Sequence, residues 1–346
     1  MSDQELASPT QGEPSYTVAV LGATGAVGQD LLRALGRSGL SIGELRLMAG
    51  PGSRGTSVEV DDKAHRVHAL PAEPESSTLF EGVQIAFLCL PPDVARAQAR
   101  SLADRGILVI DLSGVSAGEA PITLAGVSEL PSEIPDAGRL LVAPSAPAAV
   151  LATVLGALRG LGVSGCRGTI LQSAGAAGKA GVEELSQQVV ALFNQGEPPR
   201  KVFPGGLAFD LIGQSGSLIE GWTSGERRIA EEVALLTGLP ATEIGLTLIT
   251  VPLFAGLSVS IHVRFDEEVG LDDVLAALGD SPSLRVGDPV PGPRRVVGKG
   301  AVHVGRVRLD PAGDGIHLWA VADNLRFGAS ASAIGLALAA IEAGWL

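Results

Sequence analysis

The apolar positions of this chain fall into two textures. Near its start, short aliphatic runs at residues 17–21, 44–48, 84–90 and 107–112 alternate with helical or turn-rich segments. Such βα alternation predicts a parallel sheet wound by helices. Leu31, Leu32 and Leu35 share one stripe of a helix predicted over 29–39, and a crossover helix is expected over 92–105, stopped by Gly106. Beyond residue 143 the pattern changes. An Ala/Val/Leu-rich helix over 148–159 leads into strands expected at 167–172, 245–253, 258–265, 302–309 and 316–322. Helices at 179–194, 225–237 and 271–278 separate them, an order that predicts an α+β unit with a largely antiparallel sheet. The Ala-rich segment 325–346 has helical spacing suited to packing back on the first unit, and 287–298 reads as a Pro/Gly loop.

The expected fold class is therefore α/β: a Rossmann-type doubly wound parallel sheet followed by an α+β domain. The divisions predicted are a flexible leader over 1–15, a nucleotide-binding domain over 16–147, a second domain over 148–323 and a C-terminal helix over 324–346. At 346 residues there is enough chain for two cores. Aromatics make up only 3% of it, so aliphatic side chains and close backbone approach must fill them.

A formal charge of −13 argues against nucleic acid as a partner. No long uninterrupted apolar run argues for a membrane, and the polar, acidic leader is no secretory signal. Cys89 and Cys166, each in an apolar run, suit buried inert thiols in a reducing, cytoplasmic setting.

The chemistry begins at residues 18–28, VAVLGATGAVG, a strand running into a glycine loop and a helix. Gly22 would permit the tight turn, Gly25 the approach of a pyrophosphate and Gly28 the packing of helix on strand. Thr24, Ala26 and Val27 would offer groups at the helix start. After the second strand, where NAD specificity needs an acidic side chain, the chain reads AGPGSRG. That favours NADP(H) over NAD. Ser53 and Arg54 suit a 2′-phosphate, and Arg54 suits a solvated loop nearly as well.

GATGAVG, VIDLSG at 109–114, LQSAGAAGKAGVEEL at 171–185 and VADNLRFGAS at 321–330, in this order and spacing, resemble aspartate-semialdehyde dehydrogenase. The resemblance covers residues 17–346. It implies a homodimer and an NADPH-linked reaction through a thioester on a Cys with a His as acid/base. It adds Ser113, Gly114, Gly175 and Asn324 to the cofactor side. The residues matching the chemistry differ, however. Ala146 stands at the nucleophile position and Leu257 at the acid/base position. Thr250 and Ala117 match the anion-holding arginines, Arg228 matches a phosphate-binding lysine, and Gln172 is retained. Ser145 has no base visible in the sequence, and His65, His68, His262, His303 and His317 do not restore the spacing. This pattern, with ERRI at 226–229 and VADN at 321–324, is similar to the family's non-catalytic Usg-type members. No metal site is expected. Two other readings stay open: an oxidoreductase acting on a different, less charged substrate, with Ser145, Ser173 or Gln172 as proton donor, and a protein whose dimer surface alone is its function, with no nucleotide bound; an unidentified protein partner is a further expectation.

Overall fold

The computed structural model describes residues 15–346, so the predicted leader lies, but for Ser15, outside the described residues. β1 (Tyr16–Leu21) runs into α1 (Ala26–Leu35) and β2 (Ile42–Ala49). A hairpin of β3 (Ser57–Val60) and β4 (Lys63–Ala69) follows, then β5 (Ile85–Leu88), α2 (Pro92–Asp104), β6 (Leu108–Asp111) and β7 (Leu140–Val142). The sheet order is β3-β4-β2-β1-β5-β6-β7, and every pairing except β3 with β4 is parallel. The chain fills one side of β1 and then the other, so the sheet has its switch point between β1 and β5, where the carboxyl ends of open α/β sheets receive ligands. β5 and β6 are buried on both faces, which is why their sequences are continuous apolar runs rather than alternating ones.

The second unit comprises α3 (Ala146–Ala157), β8 (Val163–Ser173), α4 (Gly178–Phe193), the small ribbon β9 (Leu218–Ile219) and β10 (Trp222–Thr223), α5 (Ser224–Thr237), β11 (Ile244–Val251) and β12 (Leu257–Phe265). It continues through α6 (Leu271–Asp280), β13 (Leu284–Val286), α7 (Pro293–Val296), β14 (Val302–Leu309) and β15 (Gly315–Ala322). Its main sheet has the order β11-β8-β12-β15-β14-β13. α3, α5 and α6 cover one face: Leu151, Val154, Ile229 and Val274 share a core with Ile170, Leu248, Val259 and Leu318. The opposite face stays half-buried or exposed at Arg167, Thr169, Thr247, Ser260, His262, His317 and Trp319. α8 (Ser332–Glu342) returns to the first sheet, where Leu336 and Ala337 pack with Val18, Val20 and Ile110.

Several expectations need correction. The first helix spans Ala26–Leu35 rather than 29–39, because the loop's own residues enter it: Gln29 N already donates to Gly25 O at 2.9 Å. The second sheet is largely antiparallel as expected, with three such pairings, but β11 lies parallel to β8 and β13 parallel to β14. The expected terminal helix opens as a π-helical turn over Arg326–Ala331, and the Pro/Gly loop holds the short α7. The β3–β4 hairpin has no counterpart among the expected elements. Its Asp61 and Asp62 take positive φ, a turn signal carried by two aspartates without glycine.

Candidate functional site

Gly22 follows β1 at φ +88°, and a Cβ there would lie 2.1 Å from Cys89 O, the first residue beyond β5. Gly28 is as closely packed, since a Cβ would come within 2.2 Å of Gly22 O. These two glycines therefore shape the loop itself. Gly25 differs: it caps α1 at φ −75°, and a Cβ would meet nothing of the chain nearer than Gly22 O at 3.3 Å. Its bare backbone is turned to whatever lies outside. No side chain caps this helix, which leaves its first N–H groups available to an anion. Across the loop, Thr24 Oγ1 lies 3.2 Å from Ser53 Oγ, while Arg54 stands exposed beyond the turn.

The loop opens into a cavity of about 560 Å³ that runs to the second sheet. Ala26, Val27, Ser113, Gly114, Gly175 and Asn324 line it, together with Ala146, Gln172, Thr250 and Leu257. Gly22, Thr24, Gly25, Gly28, Ser53 and Arg54 lie outside that lining. Ser113 is held by Asp111, whose Oδ1 accepts from both its N–H and its hydroxyl at 2.8 and 2.6 Å. Asn324 Oδ1 accepts from Gly256 N at 2.8 Å. Its neighbours Asp323 and Arg326 serve the fold. Asp323 receives the N–H groups of Gly298, Leu325 and Arg326, and Arg326 reaches Asp30 of α1 at 2.9 Å, where the Ser330 hydroxyl also donates.

At the far end, Ala146 starts α3 and Leu257 starts β12, the latter only 1% exposed. Gly328 packs so closely on Ala146 that a Cβ there would lie 2.2 Å from the alanine methyl. Gln172 Nε2 donates to Thr250 Oγ1 at 3.0 Å, and the buried Ser173 hydroxyl has no partner. One reading is overturned here. Ser145 does face a carboxylate, with its N–H and hydroxyl donating to Glu232 Oε2 at 2.9 and 2.5 Å. Glu232 sits 87 residues away on α5, so no local pattern could have paired them. Arg228, one turn earlier on α5, lies 3.8 Å from Glu232 Oε1.

Residues 17–133 match the family model described as "Semialdehyde dehydrogenase, NAD binding domain", and residues 161–327 match "Semialdehyde dehydrogenase, dimerisation domain". The chain belongs to the semialdehyde dehydrogenase family. A USG-1 protein homolog of Azotobacter vinelandii is 31% identical, covering 96% of this chain and 99% of that one. Aspartate-semialdehyde dehydrogenase of Bacillus subtilis is 29% identical over 92% of this chain and 96% of its own. Among solved structures, a probable aspartate-semialdehyde dehydrogenase from Pseudomonas aeruginosa superposes with a TM-score of 0.87 at 31% identity, covering 95% of this chain and 99% of that one. The cavity of this semialdehyde dehydrogenase relative thus joins the NAD-binding match to the dimerisation match. Neither cysteine and none of the five histidines is among its lining residues. Burial pushes the thiols of the half-buried Cys89 and the buried Cys166 up to about 12, away from the reactive thiolate form.

Proposed function

We propose that this chain binds NADP(H) but does not carry out thiol-based phosphorylating dehydrogenation, and so works through binding rather than turnover. The observation behind this is the cavity lining, in which no thiol and no imidazole is present. Attack on an aldehyde or acyl phosphate by the family's route needs a thiolate, and proton transfer near neutral pH needs a base of matching pKa. The positions that resemble the nucleophile and the acid/base carry the methyl of Ala146 and the buried isobutyl of Leu257. Thr250, where the substrate's carboxylate would be clamped, spends its hydroxyl on Gln172.

The cofactor side supports binding. The free N–H groups at the start of α1, with Gly25 leaving room, would take the pyrophosphate. Ser53 and Arg54 would take a 2′-phosphate, and no acidic residue in 49–55 stands ready for a free ribose hydroxyl, which favours NADP(H) over NAD. Ser113, Gly114, Gly175 and Asn324 would border the nicotinamide end, and a bound cofactor would supply hydride chemistry there.

A homodimer accounts for surface that one chain leaves bare. One face of the second sheet lacks a covering layer, and Phe193, Phe209, Leu211 and Leu235 are each more than half exposed. Two free thiols suit a cytoplasmic setting, and none of the described helices is long and apolar enough to cross a membrane.

The Ser145–Glu232 pair favours a second reading, reduction of a different carbonyl compound with Ser145 as proton donor and no covalent intermediate. One set of measurements separates the two. Saturable enhancement of NADPH fluorescence without NADPH consumption across aldehydes and ketones supports the binding protein. Consumption that Ser145→Ala abolishes supports the reductase, and phosphate-dependent oxidation of aspartate semialdehyde would overturn both.

A further inference from the structure

The second sheet carries a cluster that the nucleotide reading does not use. His262 on β12 and His317 on β15 are direct cross-strand partners, so their side chains leave the same face, with ring centroids 4.6 Å apart. The turn after β14 folds Asp310 over them. Asp310 Oδ2 lies 2.5 Å from His317 Nε2 and 3.6 Å from His262 Nε2, and Asp314 Oδ1 lies 3.6 Å from that same nitrogen. His262 Nε2 is itself buried and has no hydrogen-bond partner. A buried imidazole nitrogen left without a partner beside two carboxylates calls for a ligand.

We propose that His262, His317 and Asp310 form a binding site for one divalent transition-metal ion of the zinc type, with Asp314 or water completing four-coordination. Two neutral imidazoles and a carboxylate are the donor set that a borderline ion such as Zn²⁺ takes. Metal–ligand bonds near 2.0–2.2 Å place tetrahedral donors about 3.3–3.6 Å apart. The two 3.6 Å separations at His262 Nε2 already meet that spacing. The three donor atoms lie within 4.8 Å of one another, and the short His317–Asp310 contact must open to admit the ion. Asp310 Oδ1 accepts from the N–H of Ala312 at 2.7 Å, which holds the turn and leaves Oδ2 to face the two rings. The nearby cations are turned away. Arg167, opposite His262, gives its guanidinium to Cys166 O and Glu243 O, and Arg308, opposite His317, gives its own to Arg306 O. In the single chain a groove of about 480 Å³ reaches both rings, on the sheet face that the proposed homodimer would cover. The ion would tie β12, β15 and the β14–β15 turn together on the face left bare of helices. The site is complete within one chain, so it stands apart from the nucleotide reading.

The test uses the full-length protein, stripped with a chelator, dialysed, and titrated with Zn²⁺ against a chromophoric competitor, with bound metal counted by elemental analysis. One Zn²⁺ per chain at micromolar affinity or tighter is expected, and Co²⁺ in its place gives the intense visible bands of a four-coordinate ion. His317→Ala lowers the affinity at least about 100-fold, and Asp310→Asn at least about tenfold. The Asp310→Asn side chain keeps the Oδ1 that accepts from Ala312 N, so the turn folds and the metal-free circular dichroism stays as in the parent. Absence of stoichiometric binding, or binding undiminished in both variants, overturns the site.

Discussion

The two ends of the long cavity are built from different materials. At the glycine-loop end the working surface is backbone: a strand, a turn forced by Gly22, and helix N–H groups left uncapped. At the far end it is side chains, and those are Ala146, Leu257, Thr250 and Gln172 on the same scaffold of α3, β8, β11 and β12. A backbone site cannot be lost without disturbing the fold, because Gly22 and Gly28 are wedged against Cys89 O and Gly22 O. A side-chain site can be lost one residue at a time. The scaffold tolerates the methyl at 146 and the isobutyl at 257 because both sit in apolar surroundings, so the chemistry can vanish while the architecture persists.

The largest effect should come from asking the far end for the family reaction. Purified protein supplied with aspartate semialdehyde, phosphate and NADP⁺ should turn over no faster than the protein-free control, a deficit of about 10⁴-fold or more against an enzyme with nucleophile and base in place. Ala146→Cys alone should leave that unchanged, because Leu257 supplies no base and Thr250 no carboxylate clamp. A rate well above the control in the parent protein would erase the contrast between the two ends.

The glycine end can be broken in two distinguishable ways. Gly22→Ala forces a side chain into a left-handed φ and onto Cys89 O, so it should cost about 3 kcal/mol or more of stability, read by denaturant titration. Gly25→Ala meets no such obstacle and should cost no more than about 1 kcal/mol. It should nonetheless weaken NADPH binding at least tenfold, since the added methyl occupies the space the pyrophosphate needs. Unchanged NADPH affinity in Gly25→Ala would remove the cofactor from this loop.

These contrasts explain what was legible beforehand. The middle of the first sheet, β1, β2, β5 and β6, announced itself because buried parallel strands are apolar runs and the glycine loop is contiguous in sequence, whereas the β3–β4 hairpin and the three-residue β7 did not. Five of the second sheet's six strands were visible from their alternation; the short β13 was not, and neither were the two parallel pairings, since direction depends on crossovers rather than on pattern. Within the cavity, Ala146 and Leu257 could be placed by motif spacing. Glu232 beneath Ser145, Asp30 beneath Arg326 and Asp310 over two histidines are pairings made by the folded chain alone.

The far end also has a wall held by backbone, and acid should loosen it. Glu184 on α4 is buried, which by itself would raise its pKa. The N–H groups of Val202, Phe203 and Lys201 outweigh that and hold it below the ordinary value of 4.5. Val202 and Phe203 line the cavity, so this carboxylate fixes part of its wall. Because the folded pKa is depressed, its stabilisation is complete above about pH 4.5 and is lost as the pH falls through the folded value. Glu184→Gln keeps one acceptor oxygen for three backbone N–H groups and the Gln188 amide, and should cost about 2 kcal/mol at neutral pH. The gap between the two melting temperatures should close as the pH drops below 4; a gap constant down to pH 3 would place the wall's stability elsewhere.

The smallest effect tests whether the loop end holds a reactive thiol, a group absent from the cavity lining. Cys89 stands just past β5 beside Gly22, at the switch point, and is the thiol placed nearest to cofactor chemistry by topology. A thiol with a pKa of about 12 is ionised to about one part in 10⁴ at pH 8, against roughly a quarter for a free cysteine. Iodoacetamide at that pH should therefore leave Cys89 and Cys166 unmodified over hours in the native protein, and mass spectrometry should find both alkylated only after denaturation. Rapid alkylation of Cys89 that NADPH protects would show a reactive thiol at the cofactor. The two ends of the cavity would then have exchanged roles, with the loop end carrying the chemistry.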